Sequence, residues 1–169
     1  MSILHEAVEQ TVVNRKTTVD DLYKIVTFPQ DDQETSYLFS VAKSLTFDIL
    51  KSFYDKRFGS TSFFLNGSVV GYANFYRYKT DPEEIIYLGN VILDSKYRGY
   101  GHSKEMVEVM SKKAQSEFSA TELRLAVFCE NTSAYALYIK MGFEVIRVED
   151  RKSWNNENES IFIMSKQLN

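Results

Sequence analysis

Tyr87 to Ser103 reads YLGNVILDSKYRGYGHS: an apolar run, a short polar connection, then an arginine and two glycines opening a helical period. Val91, Ile92 and Leu93 have the branched, apolar side chains of a buried strand, and the period changes after Gly101. A strand that runs through glycines into a helix is a design for holding phosphate. The first turn of a helix carries N–H groups without intrahelical partners, and the aligned peptide dipoles place partial positive charge at that end. Phosphate oxygens satisfy both. Gly99 and Gly101 allow positive φ and a close approach to the backbone, and Arg98 adds a cation at the lip.

Two rival phosphate motifs fit poorly. The Walker pattern requires Gly-Lys-Ser/Thr, and here His102, Ser103 and Lys104 follow Gly101; the dinucleotide fingerprint requires a third glycine that is absent. A glycine-rich loop without a ligand remains open on this stretch alone.

The remaining sequence sets the frame. The 169 residues suit a single domain spanning 1–169, large enough to bury about 70% of the surface its unfolded chain exposes. With 44% hydrophobic and 25% charged residues the composition is that of a globular protein. The net charge of −3 comes without a basic run, which argues against nucleic acid as a partner. Neither a signal peptide nor an apolar run of membrane-spanning length is visible, so a cytoplasmic location is expected. The lone Cys129 reads as a buried or half-buried thiol rather than a nucleophile, since only His5 and His102 are available to activate it. Nothing suggests a metal site, and dimerisation is left open.

Working outward, Val12–Val19 predicts a first strand, and Thr18 with Asp20 and Asp21 predicts a capped helix that ends by Pro29. Ser36–Arg57 has the helical period, interrupted near Thr46. Ser60–Leu65, Asn66-Gly67 and Ser68–Tyr78 form the clearest hairpin signal. A strand at Ile85–Leu93 precedes a helix from His102 to Phe118, a strand from Leu123 to Phe128, and a helix from Thr132 to Met141 stopped by Gly142. Phe143–Val148 returns as a strand, SWNNENES reads as a polar segment of low order, and IFIMS closes the chain. This order implies an α/β fold with a sheet of mixed direction.

Leu123 to Val145, LRLAVFCENTSAYALYIKMGFEV, resembles the motif of the GNAT superfamily of acetyl-CoA-dependent N-acetyltransferases: a strand, an asparagine, an alanine three on, a leucine-tyrosine pair, then Gly-Phe. Arg98, Gly101 and Ser103 are similar to that family's arginine-x-x-glycine-x-glycine/alanine signature, at the family's order and spacing. The resemblance implies a single-domain, mostly antiparallel mixed sheet of six to seven strands with a splayed central pair, flanked by about four helices. It also implies acetyl-CoA as co-substrate and a primary amine, on a small molecule or a peptide, as acceptor. The pantetheine arm would pair with the backbone of Val91, Ile92 and Leu93, and the diphosphate would rest on the N–H groups of Gly99, Tyr100, Gly101, His102, Ser103 and Lys104. Asn131 and Ala134 would flank the arm, a backbone N–H near Leu93 would face the developing oxyanion, and Tyr138 would protonate the departing sulfur.

The chain departs from the family at the base. Where relatives carry a glutamate it has Gly89, Asn90 or Ala126, which leaves Glu84, Tyr87, Asn90, His102 and Glu130 as candidates, or deprotonation through water. The same gap motivates an alternative, a non-catalytic acyl-CoA sensor on the same fold. The acceptor site is expected between 28–58 and 154–162, walled by aromatics and acids that include Phe28, Asp31, Asp32, Glu34, Tyr37, Phe39 and Trp154.

Overall fold

The computed structural model describes residues 11–29, 31, 34–35, 37, 44–153 and 155–169. In chain order it contains β1 (Val13–Lys16), α1 (Val19–Ile25), α2 (Phe47–Lys56), β2 (Phe58–Leu65), β3 (Ser68–Tyr76), β4 (Ile85–Leu93), α3 (His102–Phe118), β5 (Glu122–Phe128), α4 (Thr132–Lys140), β6 (Glu144–Lys152) and β7 (Asn158–Gln167). The strands form one sheet in the order β1-β2-β3-β4-β5-β7-β6. All its pairings are antiparallel except β4 with β5.

Local chemistry accounts for these elements. Asn66 and Gly67 take φ of 50° and 78°, the turn that matches the twist of a two-residue hairpin between β2 and β3. Asp21 returns to cap α1 by accepting from Thr18 N (2.9 Å), and it also accepts from Arg15 and Ser62. Met106, Val107, Met110 and Ala114 of α3 pack with Leu125, Val127, Tyr138 and Phe143 in the larger core on one side of the sheet. Leu22, Ile25, Phe28 and Leu50 cover Tyr72 and Ile92 on the other.

The largest departures from the sequence reading are in β1, β6 and β7. β1 is shorter, because Thr17 is already bonded to Ser60 O and leads into the cap of α1. β6 and β7 are longer: they pair from Glu144↔Ser165 to Lys152↔Asn158, so Asn158–Ser160 are strand, and Ser153 N donates to Glu157 O across the turn. Polar composition hid the strand ends because β6 is an edge strand that faces water on both sides. The expected helix over Ser36–Arg57 is described only in part, and its second half is α2 from Phe47. Asp32, Phe39, Trp154 and His5 lie outside the described residues.

The feature that positions the site is a split in the sheet. β4 and β5 pair only from Ile85↔Glu122 to Leu88↔Leu125. Beyond Leu88 the two strands part, while β4 stays on β3 through Leu93 and β5 stays on β7 through Phe128. The departure coincides with an extra residue in β4, between the Asn74↔Gly89 and Tyr72↔Ile92 pairs, where Asn90 takes φ of 48°. A bulge of this kind bends its strand and raises the local twist.

Candidate active site

Two cavities open along the split and meet at its waist, where Tyr37, Val91, Asn131, Ala134 and Tyr138 line both. The first, about 420 Å³, is lined by Val91, Ile92, Leu93, Arg98, Ser103 and Leu137 and leads to the N-terminus of α3. The second, about 300 Å³, runs the other way, past Gly89, Asn90 and Ala126 to Arg57, Tyr76, Tyr78 and Arg151. Past Leu88 the β5-facing edge of β4 has no strand partner among the described residues, so an extended ligand can pair along it.

At the helix end, Gly99 and Gly101 take φ of 86° and 83°, and a Cβ on either would meet nothing within 4 Å. Glycine serves conformation here, and the turn is open. Glu105 N makes its bond to Gly101 O, so the N–H groups ahead of it in the first turn are directed out of the helix end. Tyr100 and Lys104 are exposed beside them, and Ser103 is half-buried. The His102 side chain turns inward: it is 1% exposed and its Nδ1 is 3.0 Å from Glu105 Oε1, leaving only the backbone of that residue at the turn. Arg98 folds back toward the strand, donating from Nε and Nη2 to Leu93 O (3.3 and 3.2 Å) and pairing with Glu34. The Asn131 side chain caps α4, its Oδ1 accepting from Ala134 N (3.4 Å), which leaves its amide nitrogen at the waist.

Tyr138 stands in that waist on α4, its ring edge-on to Phe143 at 5.7 Å. Burial pushes its phenol up to about 12, so it stays protonated through the physiological range. Tyr76 is pushed up further, again chiefly by burial. Among the candidate bases only Asn90 lines the second cavity. Tyr87 is buried and donates to Asp81 Oδ2 (3.1 Å), and Glu84 and Glu130 are exposed. No Asp or Glu occurs among the described residues that line this cavity.

Sequence reasoning missed Tyr76, Tyr78 and Arg151 in this cavity and, above all, Arg57. Its Nη1 donates to Asn90 Oδ1 (2.9 Å) and Asn74 Oδ1 (3.2 Å), and its guanidinium lies over the rings of Tyr76 (4.3 Å) and Phe53 (4.6 Å). Arg57 holds the bulge through the side-chain oxygen of Asn90, and the approach is close enough that a Cβ on Gly89 would fall 2.3 Å from Nη1. Nothing in the local sequence marks it, because its partners are 17 and 33 residues away. The expected aromatic and acidic wall is replaced on the described side by aromatics and arginines, while Asp31 and Glu34 line the other cavity.

A strand-split mixed sheet with an open helix N-terminus at one mouth defines the class of protein. The sequence profile of the acetyltransferase (GNAT) family matches residues 19–143, and the chain belongs to that family. It is 38% identical over 69 residues to N-alpha-acetyltransferase 30 of Saccharomyces cerevisiae, a match that spans 38% of this chain and 39% of that protein. The fold is shared with an N-acetyltransferase from Staphylococcus aureus Mu50 (TM-score 0.76, 18% identity, 95% of this chain and 100% of that one). It is also shared with a putative acetyltransferase from Salmonella typhimurium whose structure holds its cofactor acetyl-CoA (TM-score 0.74, 15% identity, 95% of each chain).

Proposed function

We propose that the protein transfers an acetyl group from acetyl-CoA to a primary amine by direct attack, with Tyr138 as the proton donor to the departing thiol. The observation that supports this reading is the continuity of the two cavities through the split, with a protonated phenol at their junction. The first cavity suits the acyl carrier. Its diphosphate would rest on the first-turn N–H groups of α3, and its arm would lie along Val91–Leu93, satisfying peptide groups that β5 leaves unpaired. The second cavity, opposite it, would admit the amine.

The chain's own groups divide the work. The amine nitrogen forms its bond to the acyl carbon as the carbon–sulfur bond breaks; the Tyr138 hydroxyl gives its proton to the sulfur, the amine's surplus proton leaves to water, and the tyrosinate takes a proton back from water to restore the phenol. Deprotonation through water fits a cavity whose described lining offers phenols and Asn90 but no carboxylate. The guanidinium groups of Arg57 and Arg151 assist, because nearby positive charge disfavours an ammonium.

A thiol-release assay over a broad amine panel tests the reading. Steady release with at least one amine, and none with acetyl-CoA alone, is the expected result. Acetyl-CoA binding without release on any amine would replace catalysis with a sensor function.

A further inference from the structure

We propose that the acceptor is a small amine that carries its own carboxylate, an α-amino acid in its simplest form, with the anion held by Arg57 and Arg151. This rests on the acetyltransferase reading above and names the substrate class for the same site.

The argument begins with Arg57. The guanidinium has five N–H donors, and among the described residues both of its hydrogen bonds, to Asn74 and Asn90, leave from Nη1. Neither partner is charged. Its electrostatic neighbours are the phenols of Tyr76, Tyr72 and Tyr78, and no carboxylate lies within ion-pair distance of it among the described residues. Burial accordingly lowers its pKa. An arginine so placed costs desolvation that a carboxylate in bidentate contact would recover.

Arg151 adds a second cation from the opposite side of the split, on β6, and acts on the same Tyr76 phenol. Its Nη2 is 3.6 Å from Glu149 Oε2, a loose contact that leaves donors free for a ligand. Two arginines with no acid among the described lining repel cationic acceptors such as polyamines. The rings of Tyr37, Tyr76 and Tyr78 offer flat apolar surface to an acceptor's body. About 300 Å³ of space is in the range of small-ligand sites rather than of an extended peptide.

The test pairs each of the twenty L-amino acids with its carboxamide and, where one exists, its decarboxylated amine, and adds short peptides, with thiol release as readout. At least one free amino acid is expected to exceed its carboxamide by tenfold or more in kcat/KM. Arg57→Gln should raise KM for that acceptor about tenfold or more with a smaller change in kcat, and bring the acid-to-amide ratio toward one. Arg151→Gln should do the same to a lesser degree, and it serves if Arg57→Gln fails to fold. Carboxamides or peptide N-termini turning over as well as free acids would overturn the proposal while leaving the acetyltransferase standing. An equal loss of kcat on every acceptor in Arg57→Gln, with the acid-to-amide ratio intact, would also overturn it, by making Arg57 a support for Asn90. If no amine is acetylated, saturation-transfer NMR on the amino-acid mixture with coenzyme A present decides separately. Binding lost in both arginine variants upholds the anion site without catalysis, and no binding in the native protein ends it.

Discussion

Tyr138 and Asp21 show how environment turns ordinary side chains to opposite ends. Tyr138 gains from burial a phenol that holds its proton to about pH 12, so its replacement removes a proton donor from the waist. Tyr138→Phe is expected to lower kcat about 100-fold or more with acetyl-CoA affinity nearly unchanged, measured by thiol release and calorimetry. With no described carboxylate to serve as base, the acidic limb of kcat/KM should move with the pKa of the acceptor amine when the acceptor is changed. A limb that stays in place across acceptors would assign the proton to a protein group. Asp21 titrates the other way. Burial on its own would raise its pKa, but the bonds from Arg15, Thr18 N–H and Ser62 outweigh it and hold the carboxylate below its usual range. That depression contributes stability above the unfolded pKa near 3.8, and the contribution is lost as pH falls through the lower folded value. Asp21→Asn should therefore cost about 1–3 kcal/mol at neutral pH and flatten the acid side of a Tm-against-pH curve.

The N-terminus of α3 and the bulge in β4 are the two local structures that make the site. Gly101 at φ 83° lies where an L-residue is strained by about 1–2 kcal/mol, so Gly101→Ala should relax the turn and re-aim its N–H groups. We expect acetyl-CoA to bind roughly tenfold more weakly in that variant, by calorimetry, with little change in the amine's KM. Both the glycine turn and the helix after it are legible in the sequence, because their determinants are contiguous. The bulge is not. It depends on Asn90 taking φ of 48° while its side-chain oxygen accepts from Asn74 and Arg57, contacts made only once three segments are assembled. The ends of β6 and β7 that meet at their turn are obscured for a different reason: an edge strand exposed on both faces loses the alternation by which strands are recognised.

The molecule as a whole is two sheet halves hinged at Leu88↔Leu125 and covered by helices on both faces. Acetyl-CoA laid in the split would add the missing pairing to β4, so amide hydrogen exchange at Val91–Leu93 should slow markedly on its addition while β2 and β3 change little. Unchanged exchange there would place the acyl carrier elsewhere. Among the described residues no helix is long and apolar enough to cross a membrane, and no group of three or more His, Cys, Asp or Glu could hold a metal. The succession of strands and helices, the hairpin turn, the phosphate-type helix start and the Asn131–Tyr138 motif were all readable from the chain, since each rests on periodicity or on neighbours within about seven residues. Folding alone decided where β4 leaves β5, that His102 and Arg98 turn away from the open turn, and that Arg57 stands in the second cavity. Those outcomes come from contacts between residues far apart in sequence, and local pattern carries no record of which distant groups will share a buried space.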